Sequence, residues 1–230
     1  MMRLNFLLRP RPEIRTVSCS EMSAIVDSLT PSKAARRLAL FCVVLLVLGC
    51  ASRQTVQLPD IESWDSRTEV LSNLSNWEFS GRIAVNAGEK GFNGKLRWTQ
   101  QDDSFEATVS GPLGIGTVRI ESDGESVVHT DKDGVRTELE HAEVDLYYRY
   151  GWTIPVSSLS YWVLGIPDPS MPAKTELNSD DQLVTLEQGD WTVTISNYRV
   201  SGGQPMPRIL SAHNSNTRVR IVIDKWSFFD

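Results

Sequence analysis

The side chains able to make or break bonds are few and scattered. The cysteines are Cys19, Cys42 and Cys50, and the histidines are His129, His141 and His213. No histidine has a second His or Cys at metal-ligand spacing, so no metal site is expected. Asp102-Asp103 and Asp180-Asp181 could be imagined as carboxylate pairs for acid–base work. Each pair lies between strand patterns, where adjacent acids serve turns. G-x-S-x-G, the phosphate-binding loop, G-x-G-x-x-G opening a helix and H-E-x-x-H are all missing from the sequence. Neither enzymatic activity nor a cofactor is expected. Two features stand out instead: the surroundings of Cys50, and Leu113 in the glycine- and proline-rich segment Ser110-Gly111-Pro112-Leu113-Gly114-Ile115-Gly116.

Cys50 ends the one long apolar run, Leu38 to Leu48 (LALFCVVLLVL). Eleven helical residues rise about 16 Å, roughly half of a bilayer's hydrocarbon thickness, so a spanning helix is not expected. Lys33, Arg36 and Arg37 precede the run and Gly49 follows it, the layout of a secretory signal. Residues 1–49 are read as that signal; Met22 would start a shorter one of better proportions. Val47-Leu48-Gly49-Cys50 resembles the lipobox of bacterial lipoproteins, although Leu48 is bulkier than the usual residue there. The resemblance implies cleavage before Cys50, a diacylglyceryl group on its thiol and acylation of the new amine. Acyl chains at about 0.8 kcal/mol per buried CH₂ make a lasting anchor. Ala51 and Ser52 follow in place of the Asp that usually retains such proteins at the inner membrane, which implies the outer membrane. Only Cys50 survives cleavage, so no disulfide is expected and cohesion must come from apolar burial.

The charge divides at the same place. The whole chain carries 23 Lys+Arg against 29 Asp+Glu. Residues 1–49 hold a net of +4, whereas residues 50–230 hold 16 basic and 26 acidic side chains, a net of −10. Such an acidic body is ill-suited to phosphate backbones, and nucleic acid is not expected as a partner.

The elements that must position Leu113 are mostly strands. Residues 50–66 are polar and read as a tether, and residues 67–230 as the folded domain. Val70, Leu71 and Leu74 have helical spacing, which predicts a short helix over residues 67–76. Alternation then predicts strands from Trp77 to Val85 and from Phe92 to Gln100, a third carrying Phe105, Ala107 and Val109, and a fourth carrying Val118 and Ile120. Asp123-Gly124 and Asp133-Gly134 read as two-residue hairpin turns. Helices are predicted over residues 141–150, with Val144, Tyr147 and Tyr148 on one side, and over residues 159–164, capped by Ser157 or Ser158 and stopped by Gly165 and Pro167. Further strands follow near residues 182–187, 191–198, 207–213 and 219–226.

An antiparallel meander of ten or eleven strands cannot stay flat and must curl. The fold expected is mainly β, an open antiparallel half-barrel with a short α-helical lid over a hydrophobic cavity. Leu113 sits at a turn tip, where a residue is either folded back on the sheet or exposed as a hydrophobic finger. One leucine entering lipid is worth about 1.5–3 kcal/mol, enough for transient contact and too little for anchoring.

Taken together, these residues resemble the LolB family of outer-membrane lipoprotein receptors. The likeness is carried by the lipobox at Cys50, Trp98-Thr99-Gln100-Gln101, Gly111-Pro112-Leu113-Gly114, Ile154-Pro155 with Leu159, Trp162-Val163-Leu164-Gly165-Ile166-Pro167, Trp191 to Tyr198, Pro205-Met206-Pro207 and Ile223-Asp224-Lys225-Trp226. It implies that the chain accepts mature lipoproteins from the periplasmic carrier LolA and releases them into the outer membrane, as a monomer and without ATP. It also makes Pro112, Leu113 and Gly114 a membrane-insertion loop. The candidate acyl-chain lining is Phe79, Ile83, Leu96, Trp98, Phe105, Val109, Val118 and Ile120 from the sheet, with Val144, Tyr147, Leu159, Trp162 and Val163 from the lid. A lipocalin-like periplasmic binder of a small hydrophobic ligand is the alternative that shares this architecture.

Overall fold

The alternation beginning at Trp77 becomes the first long strand, its apolar residues buried and its polar ones facing solvent. The computed structural model describes residues 56–111, 116–151 and 154–229. Helix α1 (Trp64–Ser72) comes first. It is followed by β1 (Asn76–Ala87), β2 (Lys90–Gln101), β3 (Ser104–Ser110), β4 (Val118–Ser122), β5 (Val127–Thr130) and β6 (Arg136–Leu139). Helices α2 (Ala142–Tyr150) and α3 (Val156–Leu164) then precede β7 (Ala173–Leu177), β8 (Leu183–Gln188), β9 (Trp191–Ser201), β10 (Gln204–His213) and β11 (Arg218–Phe228).

All eleven described strands form one antiparallel sheet in the order β6-β5-β4-β3-β2-β1-β11-β10-β9-β8-β7. Two meanders therefore meet where β1 pairs with β11. The outermost strands, β6 and β7, do not pair with each other, so the sheet stays open. At the central seam the register shifts between Ser80 and Gly81. A Cβ at Gly81 would collide with the carbonyl oxygen of Val222, so only glycine permits this approach.

Turn chemistry follows the sequence at some hairpins and departs from it at others. Asp102 takes a positive φ of 50° in a two-residue loop between Gln101 and Ser104, a conformation that Asp tolerates. The loops at Asp123-Gly124 and Asp133-Gly134 are longer than expected, because Ser122 pairs with Val127 and Thr130 with Arg136. The reason lies in the aspartates. Asp123 Oδ1 accepts from the backbone N–H groups of Glu125 and Ser126, and Asp131 Oδ1 from those of Asp133 and Val135. These Asx-type bonds stabilise wider loops.

The helices depart from expectation at their starts. α1 begins earlier than its apolar spacing indicated, because Ser63 and Ser66 form a reciprocal capping box. α3 begins at Val156 after Pro155, with no side-chain cap. Ser158 does not cap it; its hydroxyl donates to Asp168 Oδ2 at 2.8 Å in the interior. Gly151 and Gly165 end α2 and α3 in the left-handed conformation. Ahead of α1, the Val56 N–H donates to the Phe228 carbonyl at 2.9 Å and the Leu58 N–H to the Gly202 carbonyl at 2.8 Å, fixing residues 56–58 to the sheet.

One core joins sheet and helices. Leu71 of α1, Leu146 of α2 and Leu159, Trp162 and Val163 of α3 are buried in the same cluster as Phe79, Leu96, Trp98 and Ile221 of the strands. The helices thus pack on the inner face. No described helix is long and apolar enough to cross a membrane.

Candidate functional site

The inner face of β1, β2, β3 and β11 is paved with aromatic rings. Trp77 stacks near Phe79 and Trp98, each at 6.2 Å between centroids. Trp98 continues to Phe105 at 4.9 Å, and Trp226 lies 5.7 Å from Trp77 and 5.2 Å from Phe79. Period-two alternation on adjacent strands produces this pavement, because Phe79 faces Trp98 across β1–β2 and Trp226 across β1–β11. The indole N–H groups find acceptors: Trp98 donates to Gln100 Oε1 and Trp226 to the Pro207 carbonyl.

Over one end of the pavement lies a cavity of about 540 Å³, within the span of roughly 300–1,000 Å³ usual for ligand sites. Trp77, Phe105 and Val127 line it from the sheet, Leu71 and Leu74 from α1 and the residues after it, and Val156, Tyr161 and Leu164 from α3. Gln100, Asp102, Asp103, Ser122, Glu143, Ser157 and Ser160 give it a polar rim. Burial, with Asp190 adding to it, raises the Glu143 carboxyl above its ordinary pKa. Burial likewise raises the Tyr161 phenol, helped by Asp168 and Asp103. An apolar floor with a polar rim suits a ligand whose hydrocarbon enters and whose head stays in water.

The roof is held by polar contacts at its far side. Gln188 of β8 accepts from Trp162 Nε1 at 2.9 Å and from the Asp168 N–H at 3.0 Å, while its amide donates to the carbonyls of Asp168 and Met171. Burial alone would raise Asp168, but bonds from Ser170 and Ser158 outweigh it and hold the carboxylate below its usual pKa. Arg67 of α1, 1% exposed, reaches the end of α3 and donates to the carbonyls of Leu164 at 3.2 Å and Pro205 at 3.0 Å. Its guanidinium lies over the Tyr198 ring, 5.5 Å from the centroid. Burial lowers the Arg67 pKa and raises that of Tyr198.

The residues singled out in the sequence fall into three groups. Phe79, Ile83, Leu96 and Trp98 of the sheet, and Leu159, Trp162 and Val163 of α3, are buried. Phe105, Val109, Val118 and Ile120 are half-buried, and of all these Phe105 borders the cavity. Val144 and Tyr147 are 49% and 50% exposed, because α2 packs through Leu146, which is 0% exposed. Cys50, Pro112, Leu113 and Gly114 lie outside the described residues. Sequence reasoning missed Val127, Val156 and Tyr161 as cavity residues, though it began the first strand at Trp77 and noted Leu71 and Leu74. Nothing in the local pattern of α3 distinguishes a cavity-facing residue from one packed on β10. Among the described residues no group of three His, Cys, Asp or Glu side chains could hold a metal ion.

Solved structures share this fold. A solved structure of a LolA superfamily protein from Nitrosomonas europaea superposes with a TM-score of 0.51 at 8% identity, over 73% of this chain and 94% of that one. A DUF1329 family protein from Desulfovibrio piger also gives 0.51, at 7% identity over 72% of this chain and 91% of its own. Identities this low speak for the fold alone. In sequence, the chain is 32% identical over 195 residues to the outer-membrane lipoprotein LolB of Pseudomonas putida strain GB-1, covering 83% of this chain and 95% of the relative. It is 34% identical to that of Nitrosococcus oceani, over 83% and 96%. The family model described as outer membrane lipoprotein LolB matches residues 75–226. The chain belongs to the LolB family of outer-membrane lipoproteins.

Proposed function

We propose that this chain receives mature lipoproteins from a LolA-type periplasmic carrier and delivers them to the outer membrane, holding their acyl chains between the aromatic sheet face and the helices. The observation that carries the reading is the cavity bounded by Trp77 and Phe105 below and Tyr161 and Leu164 above. An acyl chain gains about 0.8 kcal/mol for each CH₂ removed from water. A site of this kind needs no bond chemistry, only an affinity above the carrier's and below the bilayer's. Relative affinity then sets direction, and no nucleotide is consumed. Lipid on Cys50 keeps the receptor at the membrane, and Leu113 enters the bilayer as cargo leaves.

The experiment is a transfer assay. The chain is mixed with carrier-bound lipoprotein, without ATP, and the lipoprotein is followed to the chain and then to added vesicles. Movement of cargo on mixing is expected. Binding of a free fatty acid with no acceptance of lipoprotein would replace this reading with that of a small-ligand binder.

A further inference from the structure

The outer face of the sheet carries a concentration of positive charge that its ion pairs do not absorb. Outward positions alternate with the buried row, and they hold Arg82 on β1, Lys95 on β2 and Arg218 and Arg220 on β11, all exposed. The register sets Arg82 opposite Lys95, and Ala84 lies opposite Arg220 on one side and Asn93 on the other. Arg82 is paired with Asp224 at 2.9 Å. Among the described residues Lys95, Arg218 and Arg220 have no acid within ion-pair distance. Arg220 is steadied by a bond from its Nη1 to Ser211 Oγ at 3.2 Å.

Between these cations lies a shallow hollow of about 320 Å³, lined by Ile83, Gly94 and Val222 and rimmed by Arg82, Lys95 and Arg220. It reaches Gly111, where β3 gives way to the loop toward β4, and Lys95 pairs with Ser110 at the end of β3. Three unpaired cations gathered on one face of a body with a net charge of −10 stand against the domain's own field. The rest of that body repels a nucleic acid that would have to wrap it. A planar anionic surface touching this face alone meets no such penalty.

We propose that this outer face docks on anionic phospholipid headgroups, with their phosphate oxygens bound by Lys95, Arg218 and Arg220. The proposal rests on the reading of the chain as a membrane-docked receptor, and it adds a second contact surface remote from the cavity. Each cation near an anionic surface is worth roughly fivefold in partitioning.

The test is lysine footprinting of the full-length chain reconstituted into vesicles. A water-soluble acylating reagent reports on Lys95, with Lys132 in the loop between β5 and β6 and Lys174 on the edge strand β7, each several strands away from this patch, as controls. In vesicles of phosphatidylethanolamine and phosphatidylglycerol, Lys95 should label several-fold more slowly than in vesicles of phosphatidylcholine alone, with both controls unchanged. The Arg218→Gln/Arg220→Gln variant should lose that protection, and Arg218→Lys/Arg220→Lys should keep it. Equal labelling in the two kinds of vesicle overturns the proposal, as does protection that survives in the glutamine variant. Protection that appears only when the carrier protein is added assigns the face to the carrier and overturns it too. Circular dichroism checks folding of each variant. Acceptance of lipoprotein from the carrier, measured in parallel, reports on the receptor reading and should be unchanged by both pairs of substitutions.

Discussion

Arg67 Nη2 donates to the carbonyl oxygen of Leu164 at 3.2 Å, joining the first described helix to the last residue of α3. Two other features crowd the same point. Gly165, at a φ of +80°, leaves room where a Cβ would meet Pro207 Cγ at 3.0 Å and the Tyr198 hydroxyl at 3.1 Å. Tyr198 donates to the Leu183 carbonyl at 2.8 Å. A positive guanidinium at the negative end of a helix is favourable, and here it also satisfies a carbonyl that α3 leaves unpaired. The roof of the cavity is thus fastened at one end by a cation that has no acidic partner among the described residues.

Removing that fastening has a definite cost. Hydrogen bonds from charged groups contribute about 1.5–3 kcal/mol each, and loss of Arg67 takes this donor from the buried Leu164 carbonyl and from the half-buried Pro205 carbonyl. Relief from burying the charge offsets part of this. Arg67→Met is therefore expected to lower unfolding stability by roughly 2 kcal/mol in denaturant titrations. It should also speed hydrogen exchange in α3 more than in β1. Arg67→Lys should not restore the loss, because a single ammonium cannot reproduce the planar fork that reaches both carbonyls.

Phe105 borders the cavity while remaining half-buried. Phe105→Ala removes ring surface from the floor and one of the rings stacked on Trp98. A fully buried Phe→Ala change costs about 3–5 kcal/mol, so this one should cost roughly half as much. Retention of a fluorescent fatty acid should weaken by more than the stability change explains. Unaltered retention, measured by titration, would move the acyl site away from this cavity.

Leu113 tests the delivery step. Leu113→Glu is expected to leave the circular dichroism spectrum and acceptance of cargo from the carrier unchanged, while slowing release into vesicles. A change worth roughly 1.5–3 kcal/mol of lost lipid contact corresponds to a slowing on the order of ten- to a hundredfold. Unfolding of the variant would instead return Leu113 to the core.

His129 makes stability depend on pH. Its Nε2 lies 2.6 Å from the Tyr150 hydroxyl, tying β5 to the end of α2. Burial, reinforced by Arg149 and opposed by Asp131, holds the imidazole below its ordinary pKa. The unfolded chain therefore takes up the proton first as pH falls. Stability present above about pH 6.5 is lost progressively below it. Denaturation midpoints should fall on acidification from about pH 7 to about pH 5, and His129→Phe should flatten that part of the profile. A profile unchanged by the substitution would remove His129 from this role.

The central strands were legible because they bury one face. Trp77, Phe79, Ile83 and Val85 alternate with polar residues, and the structure buries all four. β7, Ala-Lys-Thr-Glu-Leu, gives no such signal; it is an edge strand with little to bury, and its charges protect the edge. α2 misled for a related reason. Val144, Tyr147 and Tyr148 share a side by helical spacing, yet Leu146 alone is buried there, because a short helix against a curved sheet buries only a narrow stripe. The aromatic floor of the cavity could be read from alternation. Its roof could not, since Val156 and Tyr161 face it through a packing angle that no local pattern encodes.

The bonds from Val56 to Phe228 and from Leu58 to Gly202 fix where the chain enters the domain. Phe228 and Arg218 stand at opposite ends of β11, ten steps or roughly 33 Å apart. A pull on the chain ahead of residue 56 is therefore borne first by the Phe228 end of β11, a central strand of the sheet, and reaches helix α1 only afterwards.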